Sequence, residues 1–333
     1  MKEFRPHRVL RNRHLMTIAG ALWRRRFPRL PASTPRFFEI EAGTQLRGDA
    51  HWHSEPRRHS TLVLLHGLEG SSESGYMLGT AEKAFKAGFN VVRLNQRNCG
   101  GTERLTPTLY HSGRSADFRM VLREMVERDR LPEIFVAGFS MGGNLVLKMA
   151  GELADSAPME LRGIVAVAPC LDLAACCDAL IAPQNFVYNR YFIKNLRRRM
   201  RYKARIFPEI YAVDGLMSDL ARMRNVREFD DRITARFCGF KGADEYYARS
   251  SAMHFLEKIR TPTLILTAQD DPFVPYWTFE KAALRENPNI RLVAPRHGGH
   301  CAFVSGEGGE ERFWAEARIV EFCRKLAGTP TRG

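Results

Sequence analysis

The stretch FVAGFSMGGN, residues 135–144, decides how this chain is organised. An apolar run typical of a buried strand, residues 133–139, leads straight into a helical pattern that begins at Gly142. Ser140 lies at the junction inside the pattern GFSMG, which is the setting of a nucleophile elbow. Gly138 and Gly142 leave room for so sharp a turn. We therefore predict that Ser140 is a nucleophile, against the alternative of a tight turn with an incidental serine.

Strand-like and helix-like patterns alternate on both sides of this junction. Such alternation indicates an α/β protein with a doubly wound, mostly parallel sheet, here of about eight strands. The strand-like runs are a predicted hairpin, FFEIEA and QLRGDAHW, followed by STLVLLHG, NVVRLNQR, EIFVAGF, LRGIVAVAP, TPTLILTAQ and IRLVAP.

The alternation also suggests where the domain begins and where it is interrupted. We predict one α/β domain, residues 36–333, preceded by a basic leader, residues 1–35, that packs on its core. Over about residues 170–250 the chain is helical in tone, basic and aromatic, with no clear strand. Ligands bind at the carboxyl edge of such sheets. We therefore expect this insertion to form a lid and much of the substrate pocket, the alternative being a packed helical hairpin without ligand contacts.

Composition leaves few classes of partner open. The 333 residues are 44% hydrophobic and 26% charged, which is typical of a globular protein. The net charge of +14 raises the question of nucleic acid, but no nucleic-acid-binding module is present, so we expect no specific nucleic-acid partner. Two basic runs, residues 24–36 and 195–205, form either a solvated surface or a peripheral contact with an anionic membrane.

The cysteines and the apolar runs bear on localisation. The number of cysteines is odd and no C-x-x-C occurs, which is typical of reduced thiols and not of a disulfide framework or a zinc site. No signal peptide is apparent, and no apolar run reaches the length of a membrane span. We therefore expect a cytoplasmic protein, with peripheral membrane contact as the alternative. The cysteines are Cys99, Cys170, Cys176, Cys177, Cys238, Cys301 and Cys323.

A serine nucleophile needs a base and an acid that orients the base. The late strand TLILTAQ ends in Asp270 and Asp271, and the next strand, RLVAP, is followed by His297 and His300. We prefer Asp271 as the acid because it precedes the turn-forming proline. We prefer His300 as the base because two glycines before it free the loop to bend over Ser140. Asp270 and His297 remain the alternatives.

An acyl-transfer site also needs two donors for the oxyanion. One is expected from the residue after the nucleophile, Met141, and the other from the loop after the first buried strand. In that loop, HGLEGSS, the amide of Leu68 is the predicted donor. A carboxylate beside an oxyanion would be harmful, so Glu69 is expected to point away and make a structural hydrogen bond.

Seven motifs in order together resemble those of the α/β-hydrolases, and more narrowly of the YheT-like group, the AB hydrolase 4 family. The resemblance implies a serine hydrolase with a charge relay of Ser140, Asp271 and His300 that cleaves carboxylic esters, often short acyl or lipid-like esters. Two positions depart from the family pattern, Asn98 within RNC and Ala302 within GGHCAF. The motifs are LRNRHLMTI, HGLEGSSESGYM, NQRNCGGTERLTPTLYHSG, GFSMGGNLVLK, DEYYARSSA, AQDDPFVP and HGGHCAF.

These observations predict a serine esterase or lipase-like hydrolase that acts on a small-molecule or lipid ester through an acyl-enzyme. Such a mechanism requires no metal and no organic cofactor. The same three residues would also serve an acyltransferase, a thioesterase or an amidase. A non-catalytic binding protein on a hydrolase fold is a further alternative, which the complete Ser, Asp and His set argues against.

Overall fold

The computed structural model describes residues 1–328, without the side chains of residues 282 and 283, and its centre is a single sheet. The last five residues of the predicted domain lie outside the described residues. The strands are β1 (Thr34–Glu41), β2 (Thr44–His51), β3 (Thr61–Leu65), β4 (Asn90–Leu94), β5 (Ile134–Phe139), β6 (Leu161–Val167), β7 (Thr263–Leu266) and β8 (Ile290–Val293).

The eight strands lie in the order β1-β2-β4-β3-β5-β6-β7-β8. Strands β3 to β8 pair in parallel, whereas β1 and β2 form an antiparallel hairpin that joins the sheet through β4. Gly43, with φ at 73°, makes the hairpin turn, which suits a residue without a side chain. The predicted doubly wound, mostly parallel sheet of about eight strands is confirmed.

Helices cover both faces of the sheet. Two of them, α3 and α4, pack together on one face, and α2 and α13 pack together on the other. The helices are α1 (Arg13–Leu22), α2 (Gly75–Lys86), α3 (Ser115–Glu127), α4 (Met141–Leu153), α5 (Leu173–Ile181), α6 (Phe186–Ile206), α7 (Pro208–Tyr211), α8 (Leu216–Arg222), α9 (Val226–Phe229), α10 (Ala235–Cys238), α11 (Ala243–Ser250), α12 (Ala282–Glu286) and α13 (Trp314–Leu326).

The chain between β6 and β7 forms helices α5 to α11, and we call this segment the cap. It buries apolar side chains of its own, such as Leu220 and Ile233, against the same core as α3 and α4. The longest helix, α6, packs against α5, α7 and α9 and buries Leu196 and Met200 on its inner side. The exact limits of the cap as a unit remain a prediction.

The chain before β1 is packed on the body of the protein. Phe4 is buried between Phe303 and Trp314, with ring centroids 5.7 and 5.5 Å apart, respectively. Helix α1 begins after Asn12, whose side chain accepts hydrogen bonds from two amides of the first turn, and Met16 is fully buried. This segment therefore supports the loop that follows β8.

Candidate active site

Ser140 lies in a sharp turn between β5 and α4. Its φ of 54° and ψ of −117° are strained for a residue with a side chain. A Cβ at Gly138 would lie 2.2 Å from the Gly142 carbonyl oxygen, and one at Gly142 would lie 2.6 Å from the His66 carbonyl oxygen. Only glycine fits at either position, so the sequence pattern and the backbone geometry agree on an elbow that presents the Ser140 side chain at the sheet edge.

His300 and Asp271 meet at the same edge. Asp271 follows β7 and His300 follows β8, and the Asp271 Oδ2 atom lies 2.8 Å from His300 Nδ1. The other oxygen of Asp271 accepts hydrogen bonds from the amides of Phe273 and Val274, at 3.1 and 2.9 Å. The carboxylate is therefore fixed from both sides, and it orients the imidazole with Nε2 left for another partner.

Asp270 and His297, the alternative acid and base, form a separate pair. His297 Nδ1 lies 3.2 Å from Asp270 Oδ2, and the other oxygen of Asp270 accepts the amide hydrogen of Gly299 at 3.0 Å. The His297 side chain is 42% exposed, whereas that of His300 is 11% exposed. Asp270 thus supports the loop that carries His300.

The electrostatic environment of the His300–Asp271 pair makes His300 a strong base. Burial by itself would lower the pKa of His300, but the negative charge of Asp271, the hydrogen bond to it and the neighbouring Cys301 together hold that pKa well above the ordinary value. The Asp271 side chain is fully buried, so water screens this interaction little.

A tyrosine, a histidine and a glutamine hold the loop after β3. The amide of Gly67 donates to the Tyr76 hydroxyl at 3.1 Å, and His66 Nε2 accepts the amide hydrogen of Gln96 at 3.1 Å. Burial lowers the pKa of His66 to about 4, which keeps this ring neutral and able to accept. A Cβ at Gly67 would lie 3.1 Å from that of Ser140, so the loop passes directly beside the elbow.

The two predicted oxyanion donors flank Ser140. Met141 is the first residue of α4, where no carbonyl within the helix can accept its amide hydrogen. Among the described residues, the Leu68 amide donates no hydrogen bond either. Leu68, Met141 and Ser140 line the same cavity. Both amides are thus available beside the serine.

Glu69 points away from these amides, into the interface with the cap. Its carboxylate pairs with Arg199 of α6 at 2.9 Å and accepts the Tyr110 hydroxyl hydrogen at 2.6 Å. The Glu69 side chain is only 2% exposed, and its backbone has φ at 57°. Arg199 also donates to the Asn98 carbonyl oxygen. The loop after β3 is therefore joined to the cap by a buried ion pair.

Two contacts in this site had no signal in the sequence. The Ser140 hydroxyl lies 3.7 Å from Cys170 Sγ, its one hydrogen-bond partner among the described residues, so it forms no hydrogen bond with His300 here. The amide of His300 donates to Thr17 Oγ1 of α1 at 2.9 Å. Thr17 belongs to the motif LRNRHLMTI, but neither Thr17 nor Cys170 is near its partner along the chain, and only the folded arrangement brings them together.

The Ser140 side chain opens into a cavity under the cap. The cavity has a volume of about 110 Å³, and the space reaches about 950 Å³ when the open solvent at its mouth is included. Its wall is mostly aliphatic, aromatic and cysteine side chains, with a few polar groups. The apolar residues include Leu109, Leu173, Leu180, Phe192, Leu196, Met200, Val226, Phe229 and Phe273. A cavity with this lining suits an apolar ligand.

Two kinds of feature are absent from the described residues 1–328. No group of three or more His, Cys, Asp or Glu side chains there is arranged to hold a metal ion. None of the helices in this range is long and apolar enough to cross a membrane.

The comparisons with known proteins agree with this geometry. The family model for the α/β hydrolase fold matches residues 60–307. The chain belongs to the α/β-hydrolase family, and the predicted fold and the predicted YheT-like group are confirmed.

Particular relatives match most of this chain. YheT of Escherichia coli (strain K12), which is named for an expected esterase activity, is 32% identical over 96% of this chain and 92% of its own length. Phospholipase ABHD3 of Mus musculus is 30% identical over 74% of this chain and 59% of its own length. Among solved structures, the esterase Pf2001 of Pyrococcus furiosus is 17% identical with a TM-score of 0.58, covering 98% of this chain and 99% of that one, and shows likeness of fold alone.

Proposed function

We propose that this protein is a serine hydrolase that cleaves carboxylic esters through an acyl-enzyme formed on Ser140. The observation that carries the proposal is the strained Ser140 at the carboxyl edge of the sheet, beside the His300–Asp271 pair and open to an apolar cavity. Relatives named as an esterase and a phospholipase support the same reaction class, and an ester hydrolase was predicted from the sequence.

In the first step, Ser140 Oγ attacks the acyl carbonyl carbon of the ester. The hydroxyl turns from Cys170 towards His300 Nε2, which takes its proton while Asp271 stabilises the imidazolium that forms. The C–O bond to the alcohol then breaks, and His300 returns the proton to the leaving alkoxide oxygen. Asp271 keeps its negative charge throughout.

The oxyanion of the tetrahedral intermediate is proposed to accept hydrogen bonds from the amides of Leu68 and Met141. Each preorganised donor of this kind stabilises a transition state by about 3 kcal/mol. The N-terminus of α4 adds a favourable field for negative charge. A water molecule, deprotonated by His300, then attacks the acyl carbon, the bond to Ser140 Oγ breaks, and His300 returns the proton to Oγ as the acid leaves.

The cavity under the cap supports an acyl chain as the part of the substrate that is held. Its aliphatic and aromatic wall favours an apolar chain, and its volume exceeds the needs of an acetyl group. We therefore propose lipid-like esters as the preferred class, small soluble esters being the alternative.

The test is hydrolysis of p-nitrophenyl esters that differ only in acyl length, with wild type and Ser140→Ala. We expect wild type to release p-nitrophenol fastest from medium or long chains, and Ser140→Ala to be slower by a factor on the order of 10⁴ or more. The matched control is Ser156→Ala, which removes an exposed serine near the other end of α4. Full activity in Ser140→Ala would contradict the proposal, and products formed by transfer to an added alcohol would favour an acyltransferase.

We also propose that the outer side of α6 contacts an anionic membrane. The 21 residues of this helix include eight Lys or Arg and no Asp or Glu. Two of the cations, Arg199 and Lys203, turn inwards. Among the described residues, none of the other six forms an ion pair. Exposed apolar side chains, Phe186, Val187 and Tyr191, lie at the start of the same helix. A basic helix with apolar neighbours suits an anionic lipid surface.

Sedimentation with vesicles tests this contact. Wild type should sediment with vesicles that contain phosphatidylserine and much less with pure phosphatidylcholine. The triple variant Arg190→Gln, Lys194→Gln, Arg198→Gln should lose this difference. The control changes charge equally on other surfaces, at Arg119, Lys258 and Arg291, three cations without ion pairs among the described residues. Equal loss in both triple variants would leave only net charge as the cause and would contradict a specific face.

A further inference from the structure

The cavity beside Ser140 has one carboxylate on its wall. Asp230 lines it from the cap side, whereas Ser140 and Met141 line it from the sheet side. The other acidic groups near the site, such as Asp271 and Glu69, form ion pairs and hydrogen bonds away from the cavity wall. A carboxylate facing a mostly apolar space is costly unless hydrogen bonds or a cation stabilise it.

Asp230 is held by two hydroxyl groups. Thr234 Oγ1 donates to Oδ1 and the Tyr247 hydroxyl donates to Oδ2, both at 2.8 Å. Each carboxylate oxygen can accept a second hydrogen bond, so acceptor capacity is left over. No Lys, Arg or His among the described residues lies within ion-pair distance of Asp230. The nearest candidate, Arg227, is paired instead with Asp178 and Asp244.

The backbone at this point is unusual. Residues Asp230–Thr234 form a π-helical turn between α9 and α10. Such turns are rare and are frequent at functional sites. Val226, Phe229, Asp230 and Thr234 all line the cavity, so this turn and the helix before it present two polar side chains beside two apolar ones.

The surroundings favour a neutral donor as the partner. Tyr246 and Tyr247 lie beside Asp230 with ring centroids 5.2 Å apart, and Arg227 lies over the Tyr247 ring at 5.6 Å. Burial raises the pKa of Asp230 to about 6, so near neutral pH the carboxylate is charged and accepts only. A hydroxyl group would fill a vacant acceptor position without bringing a second charge into the cavity.

We propose that Asp230 is a specificity-determining residue that binds a hydroxyl group on the acyl chain of the substrate. The preferred substrates are then esters of hydroxylated acyl chains, the hydroxyl lying at the distance from the carbonyl that separates Asp230 from Ser140. This inference rests on the proposed ester hydrolysis and narrows its substrate class.

The test compares kcat/KM for pairs of p-nitrophenyl esters with equal acyl length, one plain and one with a terminal hydroxyl group. At the matching length, wild type should prefer the hydroxylated ester by about tenfold or more, because a hydrogen bond to a charged acceptor in an apolar site is strong. In Asp230→Leu, which has a similar volume and no acceptor, the ratio should fall to one or below. Asp230→Asn, which keeps one acceptor, should restore part of the preference.

The ratio separates recognition from a structural role. If Asp230 only supports Tyr247 and Thr234, both esters lose activity together and the ratio stays at its wild-type value in Asp230→Leu, which would overturn the inference. Thr234→Val is the control, because it removes one hydrogen bond to Asp230 and leaves the carboxylate, so the preference should persist.

A second readout does not depend on turnover. Calorimetry with Ser140→Ala and the two esters of matching length should show tighter binding of the hydroxylated one, and the difference should vanish in Ser140→Ala, Asp230→Leu. Hydrolysis of plain esters with no hydroxyl preference at any length, in rate or in binding, would overturn this inference alone. Absence of Ser140-dependent hydrolysis would overturn the proposed function, and binding would still decide whether Asp230 recognises a hydroxyl group.

Discussion

The sheet edge and the cap hold their polar side chains by different means. At the edge, Asp271 accepts two backbone amide hydrogens. Ser140 is fixed by a turn in which only glycine fits at positions 138 and 142. In the cap, Asp230 is held by side-chain hydroxyls from short helices. Backbone contacts leave little freedom, whereas side-chain contacts can be exchanged without rebuilding the chain. The sheet edge is therefore suited to groups that take part in the reaction, and the cap is suited to groups that select the substrate.

The largest expected difference separates two neighbouring acids of the edge itself. Asp271→Asn should lower kcat by a factor on the order of 10⁴, because the amide cannot stabilise the imidazolium of His300. Asp270→Asn is the matched control, since it keeps its size and pairs with the outer His297. Ester hydrolysis under saturating substrate measures both. Equal losses would mean that the two carboxylates act as one unit and would contradict the assignment of Asp271.

The second prediction compares one glycine from each region. Gly142→Ala places a Cβ about 2.6 Å from a backbone carbonyl oxygen. It should therefore displace Ser140 and lower kcat by about 100-fold, in addition to lowering the free energy of unfolding. Gly239 in the cap has φ at +77°, and a Cβ added there would meet no atom within 4 Å apart from its chain neighbours. Gly239→Ala should therefore cost about 1 kcal/mol of stability and little activity. Thermal unfolding and kcat, measured on both variants, separate the two effects.

The third prediction concerns the ion pair that joins the regions. Glu69→Gln and Arg199→Met should each lower kcat by about tenfold with a smaller change in KM, because the loop that carries the Leu68 amide loses its fixed position. The double variant should lose less than the product of the two single losses. Arg198→Met, an exposed neighbour on α6, is the control. A change in KM alone would mean that the pair shapes the pocket and does not position the amide.

The smallest expected effect is a shift in the pH dependence of kcat/KM. The raised pKa of His300 means that the protonated, inactive imidazolium persists to a higher pH than for an ordinary histidine. The profile of kcat/KM should therefore rise with pH through a midpoint above the usual histidine range. Asp271→Asn should move this midpoint down, because the stabilising charge is gone. An unchanged midpoint would contradict the coupling of the two residues.

The contrast between the regions also explains how far the sequence could predict the structure. The strand ends could be placed because apolar runs and glycines mark them, so the positions of Ser140, Asp271 and His300 followed from local patterns. The apolar spacing of YWTFEKAALREN, residues 276–287, predicts a single helix, but the structure has a 3₁₀ turn, Tyr276–Phe279, and a separate α12, a break that no glycine or proline within the segment marks.

The contacts between segments that are distant along the chain are not marked by any local sequence pattern. The approach of Cys170 to Ser140, of Thr17 to the His300 amide and of Arg199 to Glu69 depends on how distant segments fold back on the edge. Periodicity shows which side of a helix is apolar, but not which helix it meets. Asp230 is an ordinary acidic residue in the sequence, and only its place on the cavity wall draws attention to it.

Labelling by a fluorophosphonate probe is the most direct test of Ser140 as the nucleophile. The probe forms a covalent bond only with an activated serine, so we expect one label on wild type, on the peptide that contains Ser140, and none on Ser140→Ala. Ser156→Ala should be labelled like wild type. Equal labelling of wild type and Ser140→Ala, or an unlabelled wild type that still hydrolyses esters, would contradict the assignment.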